Sequence, residues 1–135
     1  MSTVYTGSIV IDASPDDVFA FVRVPENQLR WATFVRTTRP LGEGWHEMET
    51  MFGEVRRYRL DADPATRTAD LVMETTFGRL VLPSRATPHA RGSVYTFTII
   101  RPPAFPDEDW AASCTGLDRE LEALASIIGR EAAAA

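Results

Sequence analysis

Few side chains in this 135-residue sequence could run acid–base chemistry near neutral pH. There are two histidines, His46 and His89, and histidine is the side chain whose charge changes between pH 5 and 8. In the stretch Trp45–Phe52, His46 alternates with Met48, which predicts one strand face for both. His89 lies in a loop between Pro88 and Gly92 and reads as solvated. Glu74 falls mid-strand between Met73 and Thr75, and Tyr95 falls in the apolar run 93–101. His46 with Tyr95 and with Glu74 or an arginine, gathered in one apolar cavity, could protonate and dehydrate a substrate. The plainer reading puts Glu74, Arg57 and Arg59 on an outer sheet face, making cross-strand ion pairs. The sequence leaves both open.

Other chemistries find no support. There is no nucleophile elbow with Ser, His and Asp in order, and no glycine-rich phosphate loop. His46, Glu47 and Glu49 are close in sequence, but alternation sends both glutamates to the face opposite His46, so no metal site is expected. No cofactor is expected either. The single cysteine, Cys114, excludes an internal disulfide and a multi-cysteine metal site, and reads as a small buried hydrophobe.

The net charge of −5 and a pI of about 5.0 argue against a nucleic-acid partner, which needs a basic patch. All 14 basic residues are arginine. A hydrophobic fraction of 44% and a charged fraction of 24% are ordinary for a soluble globule. No apolar run approaches the roughly 20 residues of a membrane span. The N-terminus has neither the basic region nor the apolar run of a signal peptide, so a cytoplasmic protein is expected.

The element that would organise the chain is a long helix over 106–130. Trp110, Cys114, Leu117, Leu121, Leu124 and Ile128 recur at spacings of three and four and form one apolar stripe. Asp107, Glu108 and Asp109 suit its positive end, and Gly129 would cap its other end. Before it, 3–11 reads as a strand. Ser14-Pro15-Asp16-Asp17 reads as a helix start, and Pro25 opens a second short helix over 26–31. Hairpin-sized strands follow: 33–38, 45–52, 54–60, 68–76, 79–86 and 93–101. Residues 1–131 should thus form a single α+β domain, with 132–135 as a frayed tail.

A sheet of about seven antiparallel strands can curl, and curling around the last helix would enclose a space. Candidate lining residues are Trp110, Cys114 and Leu117 from the helix, with Phe34, Met48, Phe52, Tyr58, Met73, Tyr95 and Phe97 from the strands. Aromatics and methionines with a few polar tips suit an apolar small-molecule pocket.

The order of these elements resembles a known superfamily. It is carried by Ile9-Val10-Ile11-Asp12-Ala13-Ser14-Pro15-Asp16-Asp17-Val18-Phe19-Ala20-Phe21-Val22, then Pro25-Glu26-Asn27 and Trp31, and by the closing Leu117-x-x-Glu120-Leu121-x-x-Leu124. Over essentially its whole length the chain resembles the START / birch-pollen-allergen superfamily, or SRPBCC, and in particular its small bacterial polyketide cyclase/dehydrase-like members. The resemblance implies a helix-grip fold. In that fold a curved seven-stranded antiparallel sheet grips the C-terminal helix, two short helices follow strand 1, and an apolar cavity lies between sheet and helix. It carries no universal catalytic motif, so fold kinship leaves function open. The reading it favours is a binder of a hydrophobic small molecule: a lipid, polyketide or aromatic metabolite. Two alternatives stand beside it: a cyclase/dehydratase-type enzyme using His46, Tyr95 and Glu74 or an arginine, and a protein-interaction or homodimerisation domain using the outer sheet face or the Trp45 hairpin.

Overall fold

A computed structural model of the chain describes residues 2–135. Strand β1 (Val4–Ile11) leads into helix α1 (Pro15–Val22), a single 3₁₀ turn (Pro25–Asn27) and the short helix α2 (Gln28–Trp31). Seven more strands follow: β2 (Val35–Gly42), β3 (Trp45–Thr50), β4 (Val55–Asp63), β5 (Thr68–Thr75), β6 (Gly78–Leu82), β7 (Ser84–His89) and β8 (Gly92–Ile100). Helix α3 (Asp107–Ala134) closes the chain. One antiparallel sheet runs β1-β8-β7-β5-β4-β3-β2, with β6 paired to β5. This is the expected helix-grip arrangement.

Three details differ from expectation. The stretch 79–86 is two strands, not one, because Pro83 has no N–H to give a ladder. The segment before it hairpins onto β5, and the segment after it pairs with β8. Strand β2 runs through Pro40, which its place as the terminal strand of the sheet tolerates. Helix α3 does not stop at Gly129 but continues to Ala134, so residues 132–134 are helical and not a frayed tail. Glycine costs a helix interior only about 1 kcal/mol, and Leu124 and Ile128 packed before it outweigh that.

Local chemistry fixes the frame that holds the helices. Ser14 caps α1, its Oγ accepting from the Asp17 N–H at 3.1 Å, with Pro15 at the first helical position. The corner between β1 and α1 is pinned from β8. Ser93 Oγ donates to the Ala13 carbonyl at 2.6 Å, and Gly92, at φ 134°, lies so close that a Cβ there would come 2.7 Å from the Ile11 and Ala13 carbonyl oxygens. Only glycine fits both the dihedral and the space. On β1, a Cβ on Gly7 would lie 2.7 Å from Leu121 Cδ1, so this is where α3 rests directly on the sheet. Leu121, Leu124 and Ile128 join Ile11, Val18 and Phe21 in one buried cluster. Toward its N-terminus the helix no longer fills the space beneath it.

Candidate functional site

Between the first half of α3 and the concave side of the sheet lies a cavity of about 580 Å³. Protein interiors are packed at crystal density and seldom leave voids larger than a water molecule, so this volume is not an accident of core packing. Sheet residues on its wall include Met48, Leu71, Met73, Leu82, Phe97 and Ile99. Phe34 enters from the loop before β2, and α2 contributes Gln28 and Trp31. Helix α3 supplies Trp110, Leu117 and Glu120, with Ser113 and Gly116 between them.

Of the ten residues expected to line a cavity, six do: Phe34, Met48, Met73, Phe97, Trp110 and Leu117. The expectation is corrected for the other four. Phe52 stands behind the wall, its ring edge-on to Phe34 at 6.1 Å and to Phe105 at 5.4 Å. Tyr58 is completely buried beside His46, its hydroxyl bonded to Thr38. Tyr95 is buried between Ile9 and Ala86, in the part of the sheet that α1 covers. Cys114 is only half-buried and faces β1 beside Tyr5 and Asp118. The later part of the apolar stripe, Leu121 to Ile128, rests on the sheet. Over the cavity, Trp110 and Leu117 of that stripe are joined by small and polar residues beside it, Ser113, Gly116 and Glu120.

The three candidate acid–base residues are not brought together. His46 is on the concave side, as its alternation with Met48 predicts, but it lies beyond the cavity: Nε2 is 3.2 Å from Glu26 Oε1 in the 3₁₀ turn, and the ring packs on Tyr58 at 5.6 Å. Glu74 points outward, 3.3 Å from Arg79 and 3.6 Å from Arg57. Those two arginines and Arg59 surround the Trp45 indole at 4.6 to 5.7 Å, a cation–π stack on the outer sheet face. Burial drives the Tyr95 hydroxyl far above the ordinary phenol range, so it stays protonated. Among the described residues, no group of three metal-ligating side chains forms.

The carboxyl group that does sit in the wall was not among the candidates. Glu120 is only 8% exposed. Burial pushes its carboxyl up to about 7, while the Thr33 hydroxyl, donating to Oε1 at 2.9 Å, and the Phe34 backbone N–H oppose the shift. Phe34 thus sits between two charged groups, because its ring also carries Arg56 at 5.6 Å. Arg56 is 6% exposed and paired: Nε and Nη2 donate to Glu54 Oε2 at 3.0 and 2.8 Å, and Nη1 lies 3.1 Å from Met73 Sδ. A signal for Glu120 was present in the sequence. It is three residues after Leu117 and four before Leu124, a charge at an apolar-stripe position, and such a charge is a candidate for function.

A family model described as polyketide cyclase / dehydrase and lipid transport matches residues 2–131. The chain belongs to this family. The START / birch-pollen-allergen likeness seen in its sequence is therefore real kinship, and solved structures agree on the fold. The Aha1 dimer from Colwellia psychrerythraea superposes with a TM-score of 0.73 at 12% identity, covering 95% of this chain and 97% of that one. A protein from Mesorhizobium loti gives 0.71 at 15% identity, covering 94% and 97%. Ara h 8.0201 gives 0.65 at 14% identity, covering 93% and 96%. At these identities the likeness concerns the fold alone. Comparison with curated proteins gives no match. Among the described residues, no helix of this family member is long and apolar enough to cross a membrane.

Proposed function

We propose that this protein binds a hydrophobic small molecule, of the lipid, polyketide or aromatic class, in the cavity under α3. The observation that carries the reading is the cavity itself. Its volume of about 580 Å³ lies in the range of small-molecule sites, its wall is aliphatic and aromatic, and its polar groups are few and clustered. The family's description, which includes lipid transport, supports the same class of ligand. Native mass spectrometry of the purified protein incubated with a panel of lipids and polycyclic aromatics tests it. A one-to-one adduct with at least one member is expected, and no adduct with any member contradicts the proposal.

One observation favours a second reading, an acid–base enzyme of the cyclase/dehydratase type. Glu120, unlike His46, Glu74 and Tyr95, is an ionisable group in the cavity wall, and at neutral pH it can both take and give a proton. On this reading Glu120→Gln keeps ligand binding but loses about a hundredfold or more in turnover of a β-hydroxy ketone. Unchanged turnover in that variant rules it out.

A further inference from the structure

The cavity wall is mostly apolar, with Arg56 on the sheet side, and its uncharged polar groups gather where α2 approaches α3. Gln28 and Trp31, one turn apart on α2, are 5% and 6% exposed, and Gln28 Oε1 and Trp31 Nε1 are buried without a hydrogen-bond partner among the described residues. Two residues after Trp31, Thr33 donates to Glu120, which ties this end of α2 to α3. An unpaired buried polar atom destabilises the fold, and native proteins rarely keep several in one place without a use for them. The three groups also ask for different things. The indole N–H can only donate, the amide oxygen can only accept, and the carboxyl accepts when ionised and does both when protonated.

Resting on the cavity-binding reading, we propose that the ligand is a neutral amphipath whose alcoholic or phenolic hydroxyl seats among Gln28, Trp31 and Glu120, with its apolar body lying toward Met73 and Phe97. A hydroxyl donates and accepts through one atom, so it can serve a donor and an acceptor at once. An ammonium cannot accept from Trp31. A carboxylate would bring a second negative charge to Glu120 in a site of low dielectric. The buried cation of the cavity, Arg56, already has its charge paired with Glu54 through Nε and Nη2, which weakens its call on a second carboxylate. A bare hydrocarbon leaves the whole polar end unpaired.

A matched series tests this: 4-octylphenol, octylbenzene, 4-octylbenzoic acid and 4-octylbenzylamine, each displacing N-phenyl-1-naphthylamine from the protein at pH 8. The phenol should bind about tenfold tighter than octylbenzene and tighter than both charged members. Gln28→Leu and Glu120→Leu should each cut the phenol's advantage over octylbenzene, measured on the same variant, to about threefold or less. Equal affinity for phenol and octylbenzene, a charged member binding tightest, or a preference untouched in both variants overturns the head-group assignment while leaving the cavity-binding reading in place. If none of the four displaces the dye and the dye itself does not bind, both fall together.

Discussion

Glu120 is where the account can be tested without knowing the ligand. Its carboxyl has a value of about 7 in the folded protein against 4.5 in its unperturbed state. The folded state therefore holds the proton more tightly than the unfolded chain does. Stability associated with that proton is fully present below pH 4.5, declines as pH rises, and is gone above about pH 7. At about 1.4 kcal/mol per unit, ionising Glu120 at high pH costs the fold ~3 kcal/mol. Glu120→Gln keeps an oxygen for the Thr33 hydroxyl and cannot ionise, so it should escape this cost.

The assay is urea unfolding of both proteins at pH 5.0, 7.0 and 8.5. The difference between the two cancels every other titrating group. The variant should gain on the wild type by about 1 kcal/mol at pH 5.0 and ~3 kcal/mol at pH 8.5, a change of ~2 kcal/mol. A difference that stays flat across this range, or that runs the other way, refutes the claim that Glu120 is a desolvated carboxyl in the cavity wall.

Three further variants separate cavity, frame and surface. Gly116 lies on the cavity wall, and a Cβ there would meet Glu120 Oε1 at 3.6 Å, so Gly116→Leu should fill the polar end. It should lose about tenfold or more in dye affinity while unfolding no more easily, since leucine suits a helix better than glycine by about 0.8 kcal/mol. Undiminished affinity contradicts the placement of the site. Gly92→Ala would force a Cβ into the Ile11 and Ala13 carbonyls at a positive φ, and should cost about 2 kcal/mol or more in urea unfolding; an unshifted midpoint contradicts the account of that corner. Glu74→Gln removes only exposed ion pairs with Arg57 and Arg79, so stability should change by about 0.5 kcal/mol or less and dye affinity not at all; a clear loss of affinity would return Glu74 to the site.

The architecture was legible because its signals are periodic. The stripe through Trp110, Leu117, Leu121, Leu124 and Ile128, the Ser14-Pro15 helix start and the alternation in 93–101 each report a local preference that the fold obeys. The division at Pro83 was also written in the chain, as a residue that cannot donate to a ladder, but its consequence depends on which strands lie alongside. The site was harder. Alternation correctly placed His46 and Met48 on one face, yet distance along a strand, not parity, decides which of the two reaches the cavity. Tyr58 and Tyr95 fail as lining residues for the same reason. Hydrophobicity likewise drew attention to Cys114 and away from Ser113, Gly116 and Glu120, which lie beside the empty space. A cavity is where packing stops, so its wall is chosen by tertiary geometry and not by the apolar stripe alone, of which only Trp110 and Leu117 reach it.

The central claim is that the space under the first half of α3 receives a hydrophobic ligand. Its most direct test is a fluorescence titration of wild type and Gly116→Leu with N-phenyl-1-naphthylamine. The account predicts saturable one-to-one enhancement with a blue shift in the wild type, and its loss in the variant. No saturable signal in the wild type, or identical curves for the two proteins, would contradict it.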